Sequence, residues 1–480
     1  MHYKKLTQKF LLILIGLILL LIIPVIVYDP LHIYHKSWFS DESKLHSKNM
    51  RLQNAGIINN YEFDSILAGT SMFKYIPSSY ASHKLGGKFV NLSASGGNLY
   101  ERNLFIKHAL RKKSIKNIIY SFDTALDANL QKNNRSLPLN KFNYLYDTNP
   151  YNDFYAYWNK KFLTCTLTFS SSTECIGDTR GLVRPLKWFE DGLKINEKKS
   201  GIDNWISKNG RGRNMYSRIK KQIDRPLTKK EYQKNLNLTY QIIDEQLLKT
   251  IKQNPNVPFH IVFPPYSRLQ YALWAKYNPR QYTLYKQTIK YLFTASMQYD
   301  NMYVYLLDHL EVVDNLNNYI DMRHSTAKIN HVIIDYIYDK KYIHTINELS
   351  ILFREIDLKN QSYTRLDSDI AQILNAYKFK YSLIRKNDET GVTIEGWALS
   401  YKVTNVELHV NNKKVKSIRL KKREDVFEEY PAYAQLKSGF LFKDIKLKSK
   451  NGKLTLVFKN KNKIIKKITI LNKEGVQSEK

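Results

Sequence analysis

Cysteine is almost absent: the 480-residue chain has two, Cys165 and Cys175. No paired C-x-x-C and no H-E-x-x-H occurs, so the usual signatures of a zinc site are missing. His32 and His35 stand three apart and can share a helical face, but no obvious third ligand accompanies them, and no metal is expected. Acidic residues are scarce as well: 43 Asp and Glu stand against 76 Lys and Arg, a formal charge of +33. That excess suits nucleic acid, an anionic membrane face or an anionic polymer. The basic residues are spread along the whole chain with no RNA-binding motif or zinc finger, which disfavours nucleic acid. Lys, Asn, Tyr and Ile share AT-rich codons, so part of the bias is mutational; the remainder suits acidic glycans or lipid headgroups. A composition 43% hydrophobic and 13% aromatic is ample for a core, and the length allows more than one domain.

The longest apolar run is Phe10 to Tyr28. It is long enough to cross a hydrocarbon core of about 30 Å at roughly 1.5 Å per residue. Lys4, Lys5 and Lys9 precede it, which keeps the N-terminus cytoplasmic and exports the rest of the chain. A cleaved secretory signal is the competing reading. The run exceeds a usual signal core, contains Pro24 and leads into Val27-Tyr28-Asp29-Pro30 without a small-x-small site. An uncleaved single-pass anchor over residues 1–30 is therefore expected, with 31–60 juxtamembrane and Met50 to Asn59 helical. In an oxidising compartment Cys165 and Cys175, ten residues apart in the Ser/Thr-rich loop Thr164 to Ile176, can close a small disulfide.

Hydrophobic strands then alternate with amphipathic helices: Ser65 to Ala68, a short strand within Lys88 to Asn98 that ends in a glycine turn, Ile115 to Phe122, Val257 to Phe263 and Met302 to Leu307, against Leu99 to Lys113, Thr228 to Gln253, Pro279 to Tyr299 and Ala327 to Tyr338. This predicts an α/β domain over 61–345 with a doubly wound, mostly parallel sheet. The interval 127–227 breaks the alternation and reads as an insertion over the sheet's carboxyl edge, where insertions shape substrate clefts. Residues 346–387 read as a helical connector.

Two short stretches carry chemistry. Ile66-Leu67-Ala68-Gly69-Thr70-Ser71 presents a serine where a strand meets a turn, and Asp321-Met322-Arg323-His324 offers an imidazole with a carboxylate three residues before it. A serine hydroxyl needs an imidazole to take its proton and a carboxylate to hold that imidazole's tautomer. Taken singly, Ser71 reads as a helix N-cap and His324 as a surface residue opening a helix. Their order is informative: strand and Ser71, strand and the Gly96-Gly97-Asn98 turn, strand and Asp123, strand and Pro264-Pro265-Tyr266, then D-x-x-H before the last helix.

This ordered set resembles the SGNH/GDSL hydrolase superfamily over roughly residues 62–345, with Gly69-Thr70-Ser71 similar to membrane-anchored branches that include alginate and teichoic-acid O-acylation proteins. The resemblance implies Ser71 as nucleophile, His324 as general base and Asp321 as its orienting carboxylate. The N–H groups of Ser71 and Gly97, with Gly96 the alternative, would be oxyanion donors. Two departures stand out. The first block reads Gly-Thr-Ser where the family has Gly-Asp-Ser. The third ends Ser121-Phe122-Asp123 where the family has Gly-x-Asn, and an ionised carboxylate cannot donate. Asn98 or a backbone group would have to substitute. Thr70, Asp123 and Tyr266 are pocket candidates, Tyr266 as packing more than chemistry. No cofactor is implied. Expected partners are a bacterial cytoplasmic membrane, an acylated polysaccharide outside it and a membrane acyl-donor protein.

Beyond Asn387 the period changes to two, with turns at Asn411-Asn412 and Asn451-Gly452. Residues 388–472 are expected to form a small antiparallel β-sandwich, with 473–480 a tail. Its Gly396-Trp397-Ala398 strand, the stretch Arg423 to Pro431 and Ser438-Gly439-Phe440 resemble a module appended to bacterial surface-polysaccharide proteins, implying glycan contact; a structural spacer with Trp397 in its core is the other reading. The expected function is an extracytoplasmic serine esterase or O-acyltransferase acting on a polysaccharide, with a catalytically silent scaffold as the alternative.

Overall fold

The computed structural model describes residues 2–36, 44–46, 49–73, 76–123, 139–177, 182, 200–206, 212–375, 379–385, 391–399, 403–429, 437–446, 453–460, 463–470 and 475–479. The chain forms two compact units: residues 1–197, 226–318 and 323–362 in the first, residues 198–225, 319–322 and 363–480 in the second.

In the first unit α1 (His2–Tyr28) and α2 (Met50–Asn60) precede a five-stranded sheet. Its strands are β1 (Ser65–Ala68), β2 (Phe89–Asn91), β3 (Asn117–Ser121), β4 (Phe259–Phe263) and β5 (Met302–Leu306), in the order β2-β1-β3-β4-β5 with every pair parallel. Ile66, Leu67, Val90, Ile118, Ile119 and Ile261 are completely buried, as strands covered on both faces must be. Between the strands run α3 (Ser78–Leu85), α4 (Leu99–Lys112), α5 (Lys160–Leu167), α6 (Thr173–Ile176), α7 (Lys229–Ile243), α8 (Lys249–Gln253), α9 (Arg268–Tyr277) and α10 (Pro279–Ser296), with α11 (Ala327–Tyr338) and α12 (Ile346–Gln361) after β5. Helix α3 packs with α11, whereas α4 packs with α2 and α7 with α10. The chain leaves β1 to one side for β2 and returns to the other for β3, so the switch point of this sheet lies between β1 and β3.

The helix starts reflect local chemistry. Asn98 accepts from the Glu101 N–H to open α4, and Thr228 with Glu231 makes a capping box at α7. The expected single helix over 228–253 is interrupted by a π-helical turn, Asp244–Leu248. The stretch Thr164 to Ile176, expected as loop, contains instead the end of α5, which Asn159 caps through the Phe162 N–H, and the whole of α6. Cys165 and Cys175 are disulfide-bonded, with Cα atoms 5.6 Å apart, and Tyr28 packs on them while its hydroxyl donates to the Ser170 carbonyl. Directly after α1 the Asp29 carboxylate accepts from the N–H groups of Ile33, Tyr34 and His35 at 2.8–2.9 Å and from the Tyr157 hydroxyl. The His32 ring meets the Tyr61 hydroxyl at 2.6 Å and that of His35 the Ile26 carbonyl at 2.6 Å; no metal-ligating group is found among the described residues. Among those residues, too, no helix is long and apolar enough to cross a membrane. The side chains of residues 17, 18 and 21, in the middle of α1, are not among those described.

In the second unit, α13 (Leu366–Asn375) leads into nine strands, β6 (Phe379–Arg385), β7 (Gly391–Ala398), β8 (Asn405–Val410), β9 (Lys413–Arg419), β10 (Lys421–Lys422), β11 (Lys437–Lys446), β12 (Leu454–Asn460), β13 (Lys463–Ile470) and β14 (Gly475–Glu479). They form two antiparallel sheets, β10-β11-β7-β6-β14 and β13-β12-β8-β9. Val392, Ile394, Phe440 and Phe442 of one share a core with Val406, Leu408, Leu456 and Phe458 of the other. Asn411 and Asn412 have φ of 47° and 65°, the left-handed pair that closes a tight β8–β9 hairpin. The Asn451-Gly452 turn lies outside the described residues. Trp397 is buried. Two boundaries differ from expectation: the connector ends before Phe379, and the tail contains β14, which pairs along β6 from Gly475–Leu383 to Glu479–Phe379. The stretch that begins at Arg423 contains the helix Glu424–Glu429.

This pairing predicts the limits of a foldable C-terminal fragment. Residues 376–480 should show a cooperative thermal transition by circular dichroism. Residues 388–472, lacking β6 and β14 and so two of five strands in one sheet, should melt at least 10 °C lower, since about 1 kcal/mol moves the midpoint of a domain this size by about 4–8 °C. Equal midpoints would show that β6 and β14 contribute nothing.

Candidate functional site

The first strand delivers its serine through a tight exit. Gly69 lies against Phe73, where a Cβ would come 2.7 Å from the Phe73 side chain, and the Gly69 carbonyl accepts from the Ala94 N–H at 3.0 Å. No helix begins at Ser71; the next, α3, starts at Ser78. Its hydroxyl is therefore not a cap, and Ser71 Oγ lies 2.8 Å from His324 Nε2 across 253 residues of sequence. His324 stands before α11, whose N-cap is Thr326, and the Thr326 N–H returns to the Asn318 carbonyl at 2.8 Å. Asp321 is buried three residues before it.

Next to Ser71, the Thr70 hydroxyl donates to Asp123 Oδ2, and the Met72 N–H donates to Thr70 Oγ1 at 3.2 Å. Asp123 lies just beyond β3, so this bond joins the two strand exits that flank the switch point. Arg102 of α4 supplies the counter-charge: its guanidinium is 3.4 Å from Asp123 Oδ1, donates to the Ser121 carbonyl and lies over the Tyr120 ring at 4.8 Å. Both charged side chains are 1% exposed, so the pair sits in low dielectric where each charge needs the other. Burial pushes the Asp123 carboxyl up, while Arg102 and Thr70 pull it down. The pocket candidates Thr70, Asp123 and Tyr266 are thus brought together, since the Tyr266 hydroxyl donates to the Asp123 carbonyl at 2.6 Å.

The expected oxyanion donors fare differently. The Gly97 N–H is directed to the Ala94 carbonyl at 2.9 Å, closing the turn in which Gly96 takes φ of 66°. Gly96 is thus the residue with the left-handed conformation, and the Gly97 N–H is spent inside the turn. Asn98 Oδ1 caps α4, accepting the Glu101 N–H at 2.9 Å, so the cap role uses the side-chain oxygen. Arg51 steadies this turn by a two-pronged contact with Glu101, at 3.0 and 2.9 Å, and a bond to the Ser95 carbonyl.

Further residues at the same edge escaped sequence reasoning. After β5 the buried Asp308 carboxylate accepts from the Tyr271 and Tyr285 hydroxyls at 2.6 and 2.5 Å, and its carbonyl accepts from Arg268. The Tyr271 oxygen also accepts from the Tyr266 N–H at 2.9 Å. Arg323, beside His324, lies over the rings of Tyr266 and Trp274 at 5.4 and 5.7 Å and donates from Nε to Gln270 Oε1 at 3.1 Å. One signal was available for Arg102: a basic residue three positions from Leu99 on the buried stripe that continues through Ile106 and Ala109. Comparison with protein-family models, curated proteins and solved structures gives no match.

Burial raises both buried carboxyls, and each is checked by its own stability measurement. Arg102→Met leaves the Asp123 charge buried without a partner and should cost about 3–5 kcal/mol, measured by denaturant titration; a loss under about 1 kcal/mol would mean that Asp123 is neutral here. Burial pushes the Asp308 carboxyl up to about 6, against the pull of Tyr271, Tyr285 and Arg268. The folded chain therefore holds this proton more tightly than the unfolded one, whose carboxyl titrates near pH 4, so the contribution is complete below about pH 4 and is lost as pH rises through about 6. The melting temperature of the wild type minus that of Asp308→Asn should be larger at pH 4.5 than at pH 7.5; a signed difference that increases with pH would overturn the assignment.

Proposed function

We propose that the chain is a membrane-anchored, extracytoplasmic serine esterase or O-acyltransferase of SGNH type that acts on a surface or exported polysaccharide. The observation that carries this reading is the 2.8 Å contact of Ser71 Oγ with His324 Nε2 at the carboxyl edge of a parallel sheet, beside its switch point. In the reaction, Ser71 Oγ attacks the acyl carbonyl carbon while His324 Nε2 takes the hydroxyl proton. The tetrahedral intermediate collapses as His324 returns that proton to the departing alcohol oxygen, leaving an acyl-serine. Water or a sugar hydroxyl, deprotonated by His324, then attacks the acyl-serine and restores Ser71. The Ser71 N–H and the Asn98 amide are the oxyanion donors assigned, with Gly97 joining only if its turn opens. Asp321 is assigned as the orienting carboxylate on its spacing from His324.

Anchoring is proposed from α1. Its 27 residues span about 40 Å at about 1.5 Å each. Phe10, Leu12, Ile13 and Leu20 are 65%, 68%, 63% and 71% exposed, which calls for an apolar surrounding. The C-terminal sheets are assigned to substrate placement. Because Trp397 is buried, that role would fall to their lysine-rich strands, such as the exposed β9. A silent scaffold is the second reading, favoured by the Gly97 N–H being engaged.

One experiment separates the two. A fluorophosphonate probe should label the wild-type protein on the peptide containing Ser71, and Ser71→Ala should abolish labelling with little change in melting temperature. An unlabelled wild type supports the scaffold; equal labelling of the variant removes Ser71 as nucleophile.

A further inference from the structure

At the amino edge of the parallel sheet, opposite the edge that carries Ser71, one face of the strands is left open. Ile119, His260 and Tyr303 stand in register across β3, β4 and β5, and Asn117 and Tyr305, two residues along their strands, share that face. A parallel sheet is normally covered on both faces, yet His260 and Tyr303 are half-exposed and line a cavity of about 410 Å³. Its walls come from the ends of α3 and α11, which pack together, and from the turn after α11. Lys340 makes that turn with φ of 54°, a conformation in which glycine or asparagine is usual. The Ile343 N–H then donates to the Val304 carbonyl at 2.9 Å and holds Tyr342 beside β5.

The rings are fixed and form a corner. His260 stacks on Tyr303 with centroids 5.3 Å and planes 21° apart, and its Nδ1 meets the Tyr305 hydroxyl at 3.0 Å. Tyr342 stands at 65° to the Tyr303 ring and at 72° to that of Tyr305. A flat aromatic ligand in this corner stacks on one ring and presents its edge to another, the two arrangements that aromatic pairs prefer. Polar groups surround the rings. His260 Nε2, the Asn117 carboxamide and the Tyr303 and Tyr342 hydroxyls make no hydrogen bond among the described residues. Burial pushes the His260 imidazole down to about 4, so it is neutral and the charge of the cavity lies elsewhere. Among the described residues no Asp or Glu lines it, whereas Lys84 and Lys340 do. Asp335 pairs with Lys84 at 3.3 Å, but the Lys340 ammonium has no carboxylate partner among the described residues.

We propose that this cavity binds a small planar aromatic ring that carries a carboxylate or a phosphate, with the ring in the corner of His260, Tyr303 and Tyr342 and the anion at Lys340. A cavity of this volume suits one small molecule. The two lysines repel a cationic ligand, and a neutral or a saturated ring forgoes half of the recognition. The site is separate from Ser71 and does not rest on the esterase reading.

The test is calorimetric titration of the full chain with 4-hydroxybenzoate, an aromatic carboxylate, and adenosine monophosphate, an aromatic ring with a phosphate. Each has its controls: 4-hydroxybenzamide and adenosine lack the anion, and cyclohexanecarboxylate and ribose 5-phosphate lack the aromatic ring. At least one aromatic anion should bind at a single site per chain, and which one binds tells carboxylate from phosphate. Its control without charge should bind about tenfold or more weakly, and its control without the aromatic ring about threefold or more weakly. Lys340→Gln, at an exposed position, should weaken the anion about tenfold and flatten the salt dependence, while Tyr342→Leu should weaken it about threefold or more. Ser71→Ala should bind as the wild type does. If Tyr342→Leu is too unstable to titrate, Lys340→Gln decides alone. No binding of either aromatic anion, controls that bind equally well, affinity unaltered by Lys340→Gln, or loss of binding in Ser71→Ala overturns the assignment.

Discussion

The carboxyl edge of the parallel sheet depends on how one buried carboxylate is kept. Asp123 leaves β3 at the point where β1 releases Thr70 and Ser71, and it is held by Arg102 from α4 and the Thr70 hydroxyl. In a low-dielectric interior each of these contacts is strong, and losing any one leaves a costly unpaired group. The two strand exits are therefore tied together, and the direction in which Ser71 leaves its strand is set by charge pairing as much as by the backbone. An asparagine in the same place would have offered a side-chain N–H donor. Here the position is occupied by a residue that braces the turn.

Around that brace the edge is built of tyrosines that share hydrogen bonds. Tyr266 bridges Asp123 to Arg323, and Tyr271 and Tyr285 close over Asp308. Phenols pack like hydrocarbons and still present one polar atom, so they join the exits of β3, β4 and β5 without opening the core to water. His324 comes to Ser71 from a loop whose far side carries Arg323. One short segment thus places His324 at Ser71 and Arg323 over the Tyr266 and Trp274 rings.

Much of this was legible in the residues. The five short apolar strands, the helices between them, the Asn98 turn and the late histidine all have local causes: strands buried on both faces, a side-chain oxygen for a helix end, a serine placed at a strand exit. The hairpin at Asn411-Asn412 was legible for the same reason, two residues that tolerate positive φ. Other features have no local cause. Gly475 to Glu479 has no apolar alternation and becomes a strand because β6 offers an edge of unpaired N–H and carbonyl groups. Phe379 to Arg385 comes after a helix closely enough to read as its continuation. Between Gly96 and Gly97 the sequence cannot choose, because either could serve the turn, and only the turn's closure on Ala94 decides which keeps its N–H.

By itself the sequence determined the class of fold, the order of elements and the candidate residues Ser71, Asp321 and His324, because hydrophobic period and side-chain type are local properties. Tertiary structure alone decided that Ser71 meets His324 across a sequence separation of 253, that Asp123 turns inward to Arg102, and that Arg323 lies over the Tyr266 and Trp274 rings. Each of those outcomes depends on strand order and on which charges are shut away from water together, and neither is written in any stretch of neighbouring residues.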